Sequence, residues 1–263
     1  MIKAIILGFV QAITEFLPVS SSGHLRIIEH FINFNMENIL SFEVALHFGT
    51  FLATFFIFYK DIMNSIIGFF KGLKNFKNTT NEGFRMSTMI IIASIPVAIA
   101  GFFLYNSLSN ILLYRIGLNL IITGCVLLFT RKLDSNSDNN IFSMTYYNAF
   151  LIGMAQAIAV FPGISRSGMT ISVALFFGIS RELAGKFSFL LSLPTIFGAL
   201  LFSIKDIVDF NIKYALIGFL SSFIFGILAL KFLLSFLKKG KFFYFGFYCI
   251  IVGMATFIYF IRV

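Results

Sequence analysis

Charged side chains are scarce in this sequence. Asp, Glu, Lys and Arg make up only 12% of its 263 residues, whereas 59% are hydrophobic and 38 are phenylalanine. The mean hydropathy is +0.94. A soluble globular domain carries roughly twice this share of charged residues. The composition therefore excludes the soluble globular class and predicts a protein that crosses a membrane several times.

Cysteine is also nearly absent. Cys125 and Cys249 each lie within an apolar segment, without the surrounding ligand spacing of a zinc site. This excludes a disulfide framework and a structural zinc centre. We expect both cysteines to be packing residues.

Acidic residues are fewer than basic ones, 11 against 20, which gives a formal charge of +9. The basic residues occur singly or in short clusters between apolar runs, so they do not indicate nucleic acid as a partner. They indicate cytoplasmic loops that face anionic membrane lipids. The few acidic residues form no ring of the kind that lines a cation channel.

The N-terminal stretch MIKAIILGFV has the hydropathy of a signal peptide. Gln11 and Glu15 interrupt the region in which a signal sequence is most apolar. We expect this stretch to belong to the membrane domain instead.

Apolar runs of about 20 residues, the length that spans a bilayer, occur six times. They cover residues 39–59, 87–105, 111–130, 183–204, 213–237 and 242–262. Two other apolar regions, 3–33 and 146–178, are broken near the middle by Pro, Gly and Ser, and neither half is long enough to cross. Such breaks persist at membrane depth only where protein or a water-filled cavity satisfies the freed backbone groups. The predicted fold is an all-α polytopic membrane protein with six transmembrane helices and two re-entrant helical hairpins.

The two broken regions repeat one another. Residues 8–23, GFVQAITEFLPVSSSG, align without a gap with residues 153–168, GMAQAIAVFPGISRSG, and eight positions are identical. The match includes a polar residue, Gln11 with Gln156, which a chance similarity of small residues does not explain. We predict an internal repeat with halves of approximately 1–140 and 141–263.

The basic loops predict the orientation of the chain. They lie between the first and second runs, after the third, and between the fifth and sixth, and they contain Lys60, Lys71, Lys74, Lys77, Arg85, Arg131, Lys132, Lys238, Lys239 and Lys241. The positive-inside rule places these loops in the cytoplasm. Three runs follow each broken region, so the second half is expected to be inverted relative to the first. Inverted repeats with discontinuous helices present helix N-termini to anionic ligands near the midplane.

Polar residues in the first repeat predict a functional site. Gln11 and Glu15 are four residues apart and share a helix face. After a break at Leu17 and Pro18, the run Ser20–Ser22 stands where a new helix begins, with Gly23 and His24 in its first turn. One serine is explained as a helix cap. Three serines with a glutamate and a histidine in membrane surroundings indicate function.

The second repeat replaces the middle serine by Arg166, between Ser165 and Ser167, in the stretch PGISRSGMTIS. Two helix starts, several hydroxyls and a guanidinium make an anion site suited to phosphate. Alternatively, Arg166 extends its side chain to the membrane surface and binds no ligand. A re-entrant segment would place Arg166 too deep in the membrane for that.

These groups together indicate phosphoryl transfer, which needs little beyond positioning and charge neutralisation. His24 or a serine would attack or move a proton, and Glu15 would act as a base or hold a divalent cation. Glu43 and His47, four residues apart, either face the same cavity or lie near the membrane interface. Glu29 and His30 are expected to form a solvated interfacial pair.

The stretches QAITEFLPVSSSGHL and PGISRSGMTIS resemble the paired signature of undecaprenyl pyrophosphate phosphatases, bacterial inner-membrane enzymes that give resistance to bacitracin. The resemblance extends over essentially the whole chain. It includes FEVALHFGT at 42–50, IPVAIAG at 95–101 and KFSFLLSLPTIFGA at 186–199.

The resemblance implies removal of the terminal phosphate from undecaprenyl pyrophosphate, with Mg²⁺ or Ca²⁺ as cofactor. It implies that Glu15 is the catalytic carboxylate, that Ser21 or His24 is the nucleophile or proton carrier, and that Arg166 clamps the pyrophosphate. The remaining pyrophosphate-binding residues would be Ser20, Ser22, Gly23, Ser165, Ser167, Gly168 and Thr170. One position departs from the family, which also has Glu where this chain has Gln11. An amide oxygen coordinates a cation but is no base, so a metal site here would depend mainly on Glu15.

A transporter or flippase of polyprenyl phosphates is the main alternative, because an inverted repeat also suits alternating access. Only an enzyme needs a nucleophile and a proton carrier. The expected partners are the polyprenyl pyrophosphate and membrane lipids, with bacitracin linked indirectly through the shared substrate. The sequence leaves open whether the protein forms a homodimer. We expect the site to open to the outer face of the membrane.

Overall fold

The computed structural model describes residues 1–32, 39–74, 81–108, 112–133, 140–203 and 212–262. Within these ranges the chain is helical and contains no strand, which confirms the all-α prediction. The α-helices are α1 (Ile2–Phe16), α2 (Ser21–Ile32), α3 (Ile39–Ile57), α4 (Tyr59–Lys74), α5 (Glu82–Leu108), α6 (Leu113–Phe129), α7 (Tyr146–Ile158), α8 (Arg166–Phe176), α9 (Arg181–Ser203), α10 (Ile212–Lys238) and α11 (Tyr244–Phe260). Short 3-10 helices lie at Thr130–Lys132 and Ile141–Ser143.

Four helices in the described ranges, α5, α6, α9 and α10, are long and apolar enough to cross a membrane. They correspond to four of the six predicted runs. The run at 39–59 forms α3, which meets α4 at a bend of 78°. The last run forms α11, whose 17 residues lie at the lower limit of a spanning helix. The chain is a multi-pass membrane protein.

Helix α4 differs from the prediction, which left residues 60–74 in a basic loop. Its apolar residues recur at helical spacing, whereas Lys71 and Lys74 lie in its last turn, where cations favour the helix dipole. A loop with this amphipathic pattern therefore forms a helix that packs against α5.

Both predicted breaks are present. Helix α1 has 15 residues and α2 has 12, and the second pair, α7 and α8, has 13 and 11. At about 1.5 Å per residue, each is shorter than the roughly 30 Å of a hydrocarbon core. None of the four helices crosses a bilayer by itself.

The two halves of the chain are interleaved. Helix α1 packs against α10, and α7 packs against α5. Each broken pair thus lies against the second long helix of the other half, as an inverted repeat requires. The division near residue 140 stays a prediction.

The last long helices of the halves, α6 and α11, also pack together. A Cβ atom on Gly117 would lie 2.8 Å from the carbonyl oxygen of Gly253, and one on Gly124 would lie 2.7 Å from that of Gly246. Small residues at facing positions let the two backbones approach closely. Helix α6 of this pair also packs against α2 and α8, the helices that follow the two breaks.

Candidate active site

The two breaks meet at the centre of the molecule. Arg166, the first residue of α8, donates a hydrogen bond from Nη2 to Oε1 of Glu15, near the end of α1. The backbone N–H of Gly163 donates to Oγ of Ser20 over 3.1 Å. The shared site that the repeat predicts is therefore formed, with one side supplied by each half of the chain.

Glu15 lies at the centre of this site and is only 8% exposed. The hydroxyl of Ser21 donates to its Oε2 over 2.5 Å, and the amide of Gln11 donates to the same oxygen over 3.3 Å. Arg166 holds the other oxygen. Three donors therefore hold the carboxylate, and one of them is the hydroxyl of Ser21.

His47 also belongs to this cluster. Its Nδ1 lies 2.9 Å from Nε2 of Gln11 and 3.8 Å from Oε2 of Glu15. An amide nitrogen only donates, so the ring accepts at Nδ1 and carries its proton on Nε2. Of the Glu43 and His47 pair, His47 faces the site, since its ring contacts Gln11. Glu43 lies beside Glu29 instead.

His24 lies apart from the carboxylate. Its Nδ1 is 2.9 Å from the carbonyl oxygen of Ser20, and its Nε2 is 2.9 Å from the hydroxyl of Tyr248 on α11. A carbonyl oxygen only accepts, so Nδ1 carries the proton and Nε2 accepts from Tyr248. Both ring nitrogens are thus engaged away from Glu15, Ser21 and Arg166.

Ser20 joins the two breaks and adopts an unusual backbone conformation. Its φ of 70° lies in the left-handed region, which costs a side-chain-bearing residue about 1–3 kcal/mol. Its Oγ accepts from the N–H of Gly163 and, over 3.4 Å, from that of Gly23. The hydroxyl that was predicted to bind phosphate therefore holds the turn and caps α2.

Ser165 has the corresponding role in the second repeat. It is the N-cap of α8, and its Oγ accepts from the N–H of Gly168 over 3.1 Å. The Oγ of Ser167 lies 3.4 Å from that of Ser165 and 3.5 Å from the carbonyl oxygen of Leu17. These serines pack the second break against the first.

Helix α6 supports the second break through two residues that are not among the predicted site residues. Asn119 donates to the carbonyl oxygen of Pro162 over 2.7 Å. Thr123 donates to that of Gly163 and accepts from the N–H of Ser165, both over 3.1 Å. The pattern that could have identified them is a pair of polar residues four positions apart in an apolar span.

The other predicted binding residues take several positions. Ser22 lies with its Oγ 3.5 Å from that of Ser20. Gly23 lies against Gly163, where a Cβ would be 3.1 Å from the neighbouring Cα. Thr170 is fully buried, donates to the carbonyl oxygen of Arg166 and lies 2.6 Å from Oγ of Ser188. Thr170 therefore connects α8 to α9, and its role in binding pyrophosphate stays a prediction.

Two polar atoms at the site are buried without a partner: Nη1 of Arg166 and Oε1 of Gln11. Buried polar groups are nearly always hydrogen-bonded, so these two atoms are available to a ligand or to water. Nη1 is a donor suited to a phosphate oxygen, and Oε1 is an acceptor suited to a cation or a hydroxyl.

The oxygen donors fit the divalent cation that the family resemblance implies. The described residues contain no group of three or more His, Cys, Asp or Glu side chains that could hold a metal. Mg²⁺, however, is commonly bound through one or two carboxylates and the phosphates of its substrate. Glu15 and the unpartnered Oε1 of Gln11 match this donor set.

The expectation of a solvated pair at Glu29 and His30 is half right. His30 is exposed and packs edge-on against Phe260 at 5.0 Å. Glu29 is half-buried, with Oε1 shielded from solvent and unpartnered. The prediction is wrong for Glu29 because its side chain faces Glu43 and not solvent.

Comparisons with known proteins identify the family. A family model described as Bacitracin resistance protein BacA matches residues 4–255. The undecaprenyl-diphosphatase of Alkaliphilus metalliredigens is 39% identical over 274 aligned residues, which cover 98% of each chain. That of Methanosphaera stadtmanae is 40% identical over 98% of this chain and 97% of the relative. That of Desulfosudis oleivorans is 38% identical over 97% of each.

The alignments to these relatives cover 97–98% of the chain, and the family model covers both breaks and the helices that support them. The resemblance inferred from the two motifs is confirmed: the chain belongs to the family of the bacitracin resistance protein BacA.

Proposed function

We propose that this protein hydrolyses undecaprenyl pyrophosphate to undecaprenyl phosphate and inorganic phosphate, and so regenerates the lipid carrier of cell-wall synthesis and confers bacitracin resistance. The name of the relatives supports this substrate. The observation that carries the proposal is the carboxylate of Glu15, which bridges the hydroxyl of Ser21 and the guanidinium of Arg166. The carboxylate that would act as the base thus contacts both the proposed nucleophile, Ser21, and the proposed anion clamp, Arg166.

Arg166 would bind the pyrophosphate. Its unpartnered Nη1 is ready to donate to a phosphate oxygen, and Nη2 would exchange Glu15 for a second oxygen. A guanidinium offers such parallel donors in a rigid fork. The N-termini of α2 and α8 lie beside it and add the positive ends of two helix dipoles.

Ser21 is the proposed nucleophile. Its Oγ attacks the terminal phosphorus, Glu15 takes the hydroxyl proton, and the bond from phosphorus to the bridging oxygen breaks. Undecaprenyl phosphate leaves and receives that proton. Water then attacks the phosphoserine, Glu15 takes a proton from the water, and Ser21 regains its hydroxyl as inorganic phosphate departs. The distance of 2.5 Å between Ser21 and Glu15 supports the pairing.

His24 would position the nucleophile. The sequence left Ser21 and His24 open as alternatives, and the hydrogen bonds of both ring nitrogens favour Ser21. By donating to the carbonyl oxygen of Ser20, His24 fixes the turn that immediately precedes Ser21.

Glu15 and Oε1 of Gln11 are the protein groups that would hold Mg²⁺ or Ca²⁺. When bound, such a cation neutralises charge on the phosphate oxygens. Glu15 also contacts Ser21 and Arg166, whereas Oε1 of Gln11 has no hydrogen-bond partner and would be available to the cation.

Phosphate release tests the proposal against the flippase alternative. Purified protein in detergent, supplied with undecaprenyl pyrophosphate and Mg²⁺, should release inorganic phosphate, whereas Ser21→Ala protein should not. Transport of lipid phosphate without phosphate release would favour the flippase. We further propose that the chain lies in the bacterial inner membrane with its site open to the outer face, which the distribution of basic loops supports.

A further inference from the structure

A groove on the surface of the helical bundle lies away from the candidate site, between α6 and α11. It has a volume of about 410 Å³ and is lined by Cys125, Leu128 and Phe129 of α6 and Phe247 of α11, with Arg131 and Lys132 at one end. Leu128 is half-buried, and Phe129 is 70% exposed. The groove is therefore apolar and open at the protein surface, with two cationic side chains at one end.

The groove exists because of how α6 and α11 pack. Gly124 and Gly246 bring the two backbones into contact. Leu128, one turn beyond Gly124, and Phe247, next to Gly246, are larger and line a groove beside this contact. A groove with this lining on a membrane-embedded face takes an acyl chain, because lipid is its solvent there.

The two cationic side chains at the end of the groove favour a lipid with an anionic headgroup. Arg131 and Lys132 belong to the 3-10 helix that ends α6, and both are exposed. The guanidinium carbon of Arg131 lies 5.4 Å from the ring centroid of Phe243, next to the first residue of α11. This cation–π contact holds the planar fork at the mouth of the groove. Arg and Lys together match a phosphate that carries net negative charge.

The groove is also distinct from the phosphate clamp. Cys125, Leu128 and Phe129 occupy one face of α6, whereas Asn119 and Thr123 on another face hold the second break. Arg166 takes no part in the lining.

We propose that this groove binds one anionic phospholipid of the membrane, with an acyl chain against Cys125, Phe129 and Phe247 and the phosphate on Arg131 and Lys132. The ligand is a resident membrane lipid and not the substrate. The proposal does not depend on the proposed hydrolase function.

The chain contains its own reporter. Cys125 lines the groove and is exposed, whereas Cys249, the other cysteine of the sequence, is fully buried. In lipid nanodiscs, the rate at which N-ethylmaleimide modifies Cys125 therefore reports occupancy of the groove. Phosphatidylglycerol mixed into phosphatidylcholine should slow this reaction in the native chain.

The double variant Arg131→Gln, Lys132→Gln should lose that protection, with binding weakened about fivefold for each charge removed. Lys71→Gln, Lys74→Gln is the matched control, because it removes two exposed cations that do not line the groove. Equal modification rates in the two lipids, or protection that survives in the Arg131 and Lys132 variant, would overturn the proposal.

A second variant tests the apolar part of the groove. Cys125→Phe fills the groove and leaves both cations in place. Native mass spectrometry of detergent-solubilised protein titrated with phosphatidylglycerol should show one retained lipid in the native chain and none at the same concentration in this variant. Retention of the lipid by Cys125→Phe would overturn the acyl-chain assignment. Melting temperatures of all variants identify any that are unfolded. If the Arg131 and Lys132 double variant is unfolded, Lys132→Gln alone replaces it.

Discussion

The Oγ of Ser21 lies 2.5 Å from Oε2 of Glu15, while the other oxygen of the same carboxylate accepts from Arg166. This relationship distinguishes Ser21 from its neighbours, since Ser20 is bonded to backbone N–H groups and Ser22 lies beside Ser20. Of the three consecutive serines, Ser21 is the one that contacts a carboxylate.

Ser21→Ala should therefore lower the rate of phosphate release by roughly a hundredfold or more, because the nucleophile is removed. Ser235→Ala, at an exposed position of α10, is the matched control and should retain most activity. Rapid acid quenching of native protein with radiolabelled substrate should trap a phosphoserine, which survives acid. An acid-labile phosphohistidine would instead assign the attack to His24.

Arg166→Lys should lose most activity although the charge is retained, because an ammonium group does not reproduce the two parallel hydrogen bonds of a guanidinium. We expect both a higher KM and a lower kcat. Arg131→Lys, at the far end of α6, should leave both constants unchanged. Near-normal turnover of Arg166→Lys would contradict a clamp role.

Glu15→Gln should be severely impaired, by roughly a hundredfold or more, because an amide does not accept the proton of Ser21. Its size preserves the packing around Ser21 and Arg166, so the protein should still insert and elute as the native chain does in gel filtration. Activity close to the native value would exclude Glu15 as the base.

The left-handed backbone of Ser20 predicts a difference between two variants. Ser20→Ala and Ser20→Gly both lose the hydrogen bonds to Gly163 and Gly23, but only Gly adopts a φ of 70° without strain. Ser20→Gly should therefore be more stable than Ser20→Ala by about 1 kcal/mol. Thermal unfolding of the two variants in the same detergent measures this difference, and an equal Tm would show that the turn is unstrained.

Ser22→Cys tests the side from which the site opens. A membrane-impermeant thiol reagent added outside should modify the new cysteine, and pyrophosphate should block the reaction. Cys125→Ser removes the exposed native cysteine from the background. Labelling only from the cytoplasmic side would reverse the predicted access, and labelling from both sides would support alternating access.

Sequence alone identified those residues of the candidate site that are polar or charged within an otherwise apolar segment. Glu15, Arg166 and the serines are costly at membrane depth, and a repeated motif placed them in two equivalent breaks. The contact between Glu15 and Arg166 follows from that repeat. The bend between α3 and α4 did not follow, because a short amphipathic segment rich in lysine also fits a loop.

The partner of His24 was hidden for a different reason. A tyrosine such as Tyr248 in an apolar helix is ordinary near a membrane surface, so its hydroxyl gives no local sign of a partner 224 residues away. Likewise, the roles of Ser20, Ser165 and Thr170 depend on which backbone groups they meet after folding. Residue type identified these hydroxyls as polar and close to the breaks, but only the packed structure separates those that hold the turn from the one that contacts the base.

The ion pair between Glu15 and Arg166 has a consequence for biosynthesis. Glu15 is made with the first half of the chain and Arg166 with the second, 151 residues later. Until α8 has been inserted, the nascent protein contains an acidic group in its apolar interior without the cation that compensates it. The pair therefore forms only after the second half has been made, and a chain that ends before Arg166 keeps an uncompensated carboxylate in its apolar interior.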